Sequence, residues 1–218
     1  MNLVFFGAPG AGKGSVAKAL SSNYNLIHIS TGDLFRDAIT KKSELGVKAK
    51  KFLDNGTLVT DELTNSLVEE RLSQPDLKGN GFILDGYPRN IAQAFALKDI
   101  VSKLNLPISK VVFFNIDKEI LIDRIVNRRT CSKCGTIYNL NSKEFAPKVA
   151  DKCDKDGETL NHRKDDTKEL LEARLSVYEK ETFPLYNFYK AEKLLLKVNA
   201  SKPVDKIVKK IVKKAGKK

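Results

Sequence analysis

The chain has no apolar run that approaches the ~20 residues of a membrane span, so no transmembrane helix is expected. Nor does a basic region precede its first apolar run, Leu3 to Phe6. That run reads as a core strand and not as a secretory leader, and the expected compartment is the cytosol. Three cysteines cannot all pair, and in a cytosolic enzyme they would be reduced thiols. There are only two histidines, and His28 falls in mid-strand, where a core or edge role is expected; no residue presents itself as a general base. Acidic charge is the scarcer sign, with 27 Asp and Glu against 39 Lys and Arg and a net charge of +12.

That excess is uneven. Residues 202–218 hold eight Lys and one Asp, a net of +7, and leave +5 for the rest. Within the tail Val204, Ile207, Val208, Ile211 and Val212 follow helical spacing, which predicts an amphipathic helix docked on the core with a solvated lysine face. The rival reading is an electrostatic contact with RNA or an anionic membrane. Base-stacking aromatics are missing from the tail, which argues against sequence-specific RNA recognition.

What is present is a core-forming chain of 218 residues, 41% hydrophobic, enough for one domain with insertions. Residues 7–15 read GAPGAGKGS straight after LVFF and before a helical pattern. The spacing from Gly7 to Lys13 fits G-x-x-x-x-G-K, a loop whose backbone amides curl around phosphate while the lysine reaches the β/γ-phosphates. Gly10, Ala11, Gly12, Lys13, Gly14 and Ser15 are the candidate triphosphate cradle. Gly12, Gly14 and Ala17 also match a dinucleotide fingerprint, but Gly12 lies six residues beyond the strand end, where that fingerprint would need its first glycine. The hydroxyl at Ser15 stands one position later than in most such loops, and G-K-G-[ST] resembles the nucleoside monophosphate kinases.

Apolar runs predict strands at 2–6, 26–29, 81–85, 110–115 and 193–198. Helical patterns fall near 13–22, 31–41, 44–54, 60–72, 89–103, 117–128, 164–189 and 203–214. Alternation of this kind implies an α/β fold, a parallel sheet with helices on both faces, and a ligand site beyond the strands' carboxyl ends. Two segments interrupt it. Residues 31–60 place helices where a simple crossover would do, and 129–162 show no periodic helix and contain Cys131, Cys134 and Cys153.

Asp85 ends the strand FILD beside the P-loop strand, the arrangement that holds Mg²⁺ directly or through water. Cys131-x-x-Cys134-Gly and Cys153-x-x-Asp156-Gly have the layout of a zinc ribbon, a closed four-ligand structural site. Asp156 is the expected fourth ligand, with His162 as substitute. Arg124 and Arg128 are spaced i, i+4 on one helix face, and Arg163 and Arg174, eleven apart or close to three turns, are expected to share a face as well.

The segments STGDLFR at 30–36, GTLVTDE at 56–62 and DGYPRNIAQA at 85–94 resemble motifs of the adenylate kinases, in that family's order and spacing. With D-R-x-x-x-R at 123–128 and R-x-D-D-x(7)-R at 163–174, they span nearly the whole chain. The resemblance implies a five-stranded P-loop core (1–30, 61–128 and 163–218), a helical NMP-binding insertion (31–60) and a zinc-binding lid (129–162). It implies the reaction ATP + AMP ⇌ 2 ADP, with Mg²⁺ accompanying ATP, structural Zn²⁺ in the lid, a monomer, and neither a membrane nor a specific nucleic-acid partner. GTP as donor stays open. AMP would be held by Thr31, Arg36, Thr57, Leu58, Val59, Gly86, Tyr87, Pro88, Arg89 and Gln93, with Arg163 and Arg174 shared between the two nucleotides. Lys13, Arg89, Arg124, Arg128, Arg163 and Arg174 would surround the transferring group, and Asp165 and Asp166 would orient the arginines. Arg128, Ile137, Tyr138 and Lys202 would pack at the ATP base and ribose.

Overall fold

The computed structural model describes residues 1–77 and 79–216; Lys217 and Lys218 of the basic tail lie outside the described residues. Five parallel strands form the central sheet: β1 (Leu3–Gly7), β2 (Ile27–Ser30), β3 (Phe82–Asp85), β4 (Lys110–Asn115) and β8 (Leu195–Asn199), in the order β2-β3-β1-β4-β8. The three inner strands β1, β3 and β4 are short and apolar because both faces are covered, while the edge strands β2 and β8 are only partly buried. Successive side chains of β1 alternate between two cores. Leu3 and Phe5 pack with α1 (Lys13–Tyr24), α6 (Lys118–Val126), α7 (Lys168–Val177) and α9 (Val204–Ala215). Val4 and Phe6 pack with α4 (Asp61–Leu72), α5 (Ile91–Lys103) and α8 (Leu185–Ala191). The carboxyl ends of β1, β3 and β4 converge on one edge, where the loop 7–15 and Asp85 lie.

The helical insertion between β2 and β3 is α2 (Thr31–Thr40) and α3 (Glu44–Asp54), which pack together over their own small core of Phe35, Ala49 and Val59. Ser30 caps α2 by accepting from the Asp33 amide at 3.2 Å, and Ser43 caps α3 by accepting from Gly46 at 3.1 Å. Residues 129–162 hold no helix; with Arg128 they form a three-stranded antiparallel sheet of β5 (Arg128–Cys131), β6 (Ile137–Asn139) and β7 (Leu160–Asn161), in the order β6-β5-β7. Its core is only Cys131, Tyr138, Cys153 and Leu160.

Three expectations change. The helix anticipated over 164–189 is three pieces: α7, a π-helical stretch at 178–182, and α8 after Pro184. Thr167 caps α7 by accepting from Leu170, so Arg163 precedes the helix and shares no helical face with Arg174. Likewise α6 stops at Val126, where the Asn127 side chain turns back to the Asp123 carbonyl at 3.1 Å. Arg128 therefore opens β5 and is not on a helix with Arg124. The tail forms α9 as expected. Its Ile207, Val208 and Ile211 are buried against the α1 side of the sheet, and its lysines face outward.

Candidate active site

The loop after β1 takes its shape from two glycines. Gly10 (φ +81°) and Gly12 (φ +88°) lie in the left-handed region, and Gly12 forms the cap of α1, so the loop's turn and the helix's positive end face the same space. Lys13 folds back over this loop, with its Nζ donating to the carbonyl oxygens of Gly7 at 2.9 Å and Ala8 at 3.0 Å. The loop forms one wall of a cleft of about 1260 Å³. That exceeds the roughly 300–1,000 Å³ of ordinary small-molecule pockets.

All ten residues expected at the triphosphate nucleotide line this cleft: Gly10, Ala11, Gly12, Lys13, Gly14, Ser15, Arg128, Ile137, Tyr138 and Lys202. Ile137 lies over the loop, with its Cδ1 placed 3.3 Å from where a Cβ on Gly14 would stand. Tyr138 departs from expectation. Strand alternation turns its ring into the lid core, where the hydroxyl lies 3.4 Å from Cys153 Sγ and accepts from the Asp154 amide at 2.8 Å.

A narrow recess of about 70 Å³ adjoins the cleft, and Gly32, Arg36, Gly56, Leu58, Gly86, Arg89 and Arg174 border both. Thr31, Thr57, Val59 and Gln93 line the recess alone. Asp61, at the start of α4, organises this side: it accepts from Gln93 Nε2 at 2.7 Å and from Asn90 Nδ2 at 2.9 Å. Gln93 Oε1 accepts from the Arg89 amide at 2.7 Å. One lone pair and one amide hydrogen of Gln93 remain for a ligand. Pro88 and Arg163 border the main cleft and not the recess. Tyr87 is a correction: its side chain is fully buried on the α4–α5 side of the sheet and donates to Asn65 Oδ1 at 2.7 Å.

Between the two spaces six cations, Lys13, Arg36, Arg89, Arg128, Arg163 and Arg174, face four carboxylates, Asp33, Asp85, Asp165 and Asp166. Arg128 pairs with Asp166, which is 1% exposed, and Arg174 Nη1 lies 3.3 Å from Asp165 Oδ2. Arg163 reaches Asp33 at 3.6 Å, joining the segment ahead of α7 to α2. Arg89 donates through Nε to the Gly86 carbonyl at 2.8 Å. The cations outnumber their partners, and the field records it. Burial, with Arg89, Arg174 and Arg128 nearby, pulls Lys13 down to about 8 against the lift from Asp85. Burial and Arg174 pull Arg89 to about 10, and burial and Arg36 do the same to Arg163. Burial works against the charged forms of Asp33 and Asp165, yet the guanidinium groups around them hold both below the usual carboxylate range. Such a centre is built to receive an anion with several oxygens.

Arg124 is not part of it. It lines the cleft beside Gly12, where its Nη2 donates to the Ala200 carbonyl at 3.1 Å, whereas Arg128 pairs with Asp166 among the clustered cations.

Several participants escaped the sequence reading. His28 lies on the edge strand, as expected, but its Nε2 meets Asp85 Oδ2 at 3.3 Å and it borders the cleft. Thr182 of the π-helical stretch donates to the Arg89 carbonyl at 2.6 Å and so fixes that arginine's backbone. Neither contact has a local sequence signal, because its partners are 57 and 93 residues apart.

In the lid, one ligand atom from each of Cys131, Cys134, Cys153 and Asp156 lies within 4.8 Å of the others. A tetrahedral zinc–thiolate site with bonds of about 2.3 Å has ligand separations of about 3.8 Å, so the set fits such an ion. His162 is exposed and outside the cluster, which favours Asp156 as the fourth donor.

The model of the adenylate kinase family matches residues 5–194. The chain belongs to the adenylate kinase family. It is 49% identical over 212 residues to an adenylate kinase of Thermosipho africanus, covering 97% of this chain and 98% of the relative. It is 46% identical over 214 residues to one of Geobacter sulfurreducens, with 98% and 97% covered. The enzyme is thus a nucleoside monophosphate kinase, a phosphotransferase interconverting ATP plus AMP with two ADP.

Proposed function

We propose that the main cleft takes ATP and the recess takes AMP, so that the transferring phosphoryl group lies among the six cations. The observation that carries this reading is their position. Arg36, Arg89 and Arg174 line both spaces, while Lys13, Arg128 and Arg163 line the larger one alone. Lys13 and the loop amides hold the β/γ-phosphates. Arg36 and Arg89 hold the AMP phosphate, and Gln93, kept in place by Asp61 and the Arg89 amide, meets the base. Arg128, Arg163 and Arg174 stabilise charge on the outer oxygens of a loose transition state, with Asp165 and Asp166 fixing their direction. The nucleophile is an AMP phosphate oxygen, already anionic at neutral pH, so no base is needed. Arg124, Ile137 and Lys202 serve the ATP base end.

Asp85 and Ser15 present oxygen donors beside Lys13, a donor set that fits a hard cation. Mg²⁺ arriving with ATP would supply charge neutralisation there. The recess is far smaller than a nucleotide pocket, so α2 and α3 must move to admit AMP and then close on it. The lid does the same over ATP and excludes water as a competing acceptor. Zn²⁺ held by Cys131, Cys134, Cys153 and Asp156 would stiffen the lid without touching the reaction. One chain supplies every cation of the centre, which supports a monomer. No helix of the described residues is long and apolar enough to cross a membrane.

A nucleotide panel tests the assignment, with ATP and GTP as donors against AMP, GMP, CMP and UMP, run alongside metal analysis. Rapid turnover with ATP and AMP, and about one zinc per chain, is expected. Preference for GTP, or for another monophosphate, would move the substrate assignment to a related kinase.

A further inference from the structure

Lys18 lies on α1, five residues beyond Lys13, and no step of the phosphoryl transfer uses it. Its Nζ donates to the Cys134 carbonyl at 2.5 Å and to Thr136 Oγ1 at 3.2 Å. Both acceptors belong to the first knuckle of the lid, where Thr136 Oγ1 is itself 3.1 Å from Cys134 Sγ. Gly135 between them has φ +65°, and a Cβ there would stand 3.8 Å from the ammonium. Among the described residues, the other side-chain hydrogen bonds between the helices of the core and residues 129–162 join Asn141 to Asp123 and Arg129 to the Val126 carbonyl, both beside the point where the lid leaves α6. A bond next to a hinge constrains rotation poorly. Lys18 acts at the opposite end of the lid, on the turn that carries a metal-binding thiol and is therefore the part of the lid least able to deform.

We infer that Lys18 is a positioning residue that docks the metal-bearing knuckle onto α1 and so sets the closed position of the lid over the P-loop. The geometry gives it a direct consequence. α1 begins in the phosphate loop at Lys13, so one rigid helix fixes both the triphosphate end and the lid's resting place. Ile137, which follows Thr136, is thereby held over Gly14. The ammonium makes two charge-assisted bonds that exist only when the lid is down, and its energy is available for closure and not for binding AMP. This inference rests on the reading of 129–162 as a lid over ATP.

The test compares the holoenzyme with Lys18→Met, which keeps the aliphatic stem, and Lys18→Arg, which keeps the charge. Lys18→Met should raise the KM for ATP about three- to tenfold, the range for one charge-assisted hydrogen bond in a partly exposed setting. The KM for AMP, the melting temperature and the zinc content should stay put. Amide hydrogen exchange of residues 132–138 should quicken in Lys18→Met, while exchange of 44–54 does not. Lys18→Arg should recover most of both effects. Equal rises in KM for ATP and AMP, lost zinc, or unchanged exchange in 132–138 would each overturn the inference. Absence of AMP-dependent turnover in the unsubstituted enzyme would instead overturn the reaction, and the exchange measurement would still decide the latch.

Discussion

The two segments that interrupt the sheet's alternation close over one cleft but are built on different principles. The α2–α3 insertion folds on ordinary terms: capped helices and a small apolar core of Phe35, Ala49 and Val59. The lid has strands of two to four residues and a core in which two of four members are cysteines. Such a sheet is too short to be stable alone, and in the proposed reading an ion held by the Cys131, Cys134, Cys153 and Asp156 cluster would replace the missing apolar burial. The AMP side should therefore be tuned by packing and the ATP side by a metal, with both serving the same cationic centre.

The largest effect should come from the centre that the two segments share. Lys13→Ala or Arg89→Ala should lower kcat by about 10²–10³ or more, as losing one preorganised donor does, with the far-ultraviolet circular dichroism unchanged. Near-normal turnover would detach the centre from both segments. Next, Cys131→Ser should remove bound metal and lower the melting temperature by several degrees, on the order of 2–4 °C per kcal/mol for a chain this size. The KM for ATP should rise more than that for AMP, and unchanged metal stoichiometry would take Cys131 out of the ligand set. The mirror experiment is Phe35→Ala, a large-to-small change that costs about 3–5 kcal/mol where packing is complete. Its expected signature is a raised KM for AMP with zinc content intact; loss of zinc would blur the two segments into one unit.

The smallest effect is that of pH on Lys13. Its folded value near 8 lies below the ordinary 10.5, so the ammonium that grips the phosphates is lost as pH rises through about 8. The kcat/KM for ATP in the free enzyme should fall from there, by at most about tenfold per pH unit. Stability should respond in the opposite sense. Between about 8 and 10.5 the unfolded chain binds more protons at this residue than the native one, so Lys13 penalises folding fully below 8 and less as pH rises. Parallel declines in both would contradict the burial of that lysine.

The sheet and the α2–α3 insertion were legible in the sequence because each element is signalled by its own residues: apolar runs for the strands and helical spacing at 31–41 and 44–54 for the helices. The lid strands were not, since two to four residues carry no period. The arginines show both sides of this. Their clustering followed from spacing and motif, but the faces assigned to them did not survive, because Asn127 ends α6 and Thr167 delays α7. Tyr87 and Tyr138 read as ligand contacts, yet one turns into the core and the other into the lid. Lys18, His28 and Thr182 acquire their partners only through tertiary folding.

The central claim is that the cationic centre passes a phosphoryl group from one nucleotide to another and withholds it from water. Quantifying ADP and inorganic phosphate formed from Mg·ATP, with and without AMP, tests it most directly. Two ADP for each AMP consumed, with phosphate release negligible in either case, is the predicted result. Phosphate release at a comparable rate without AMP would contradict it.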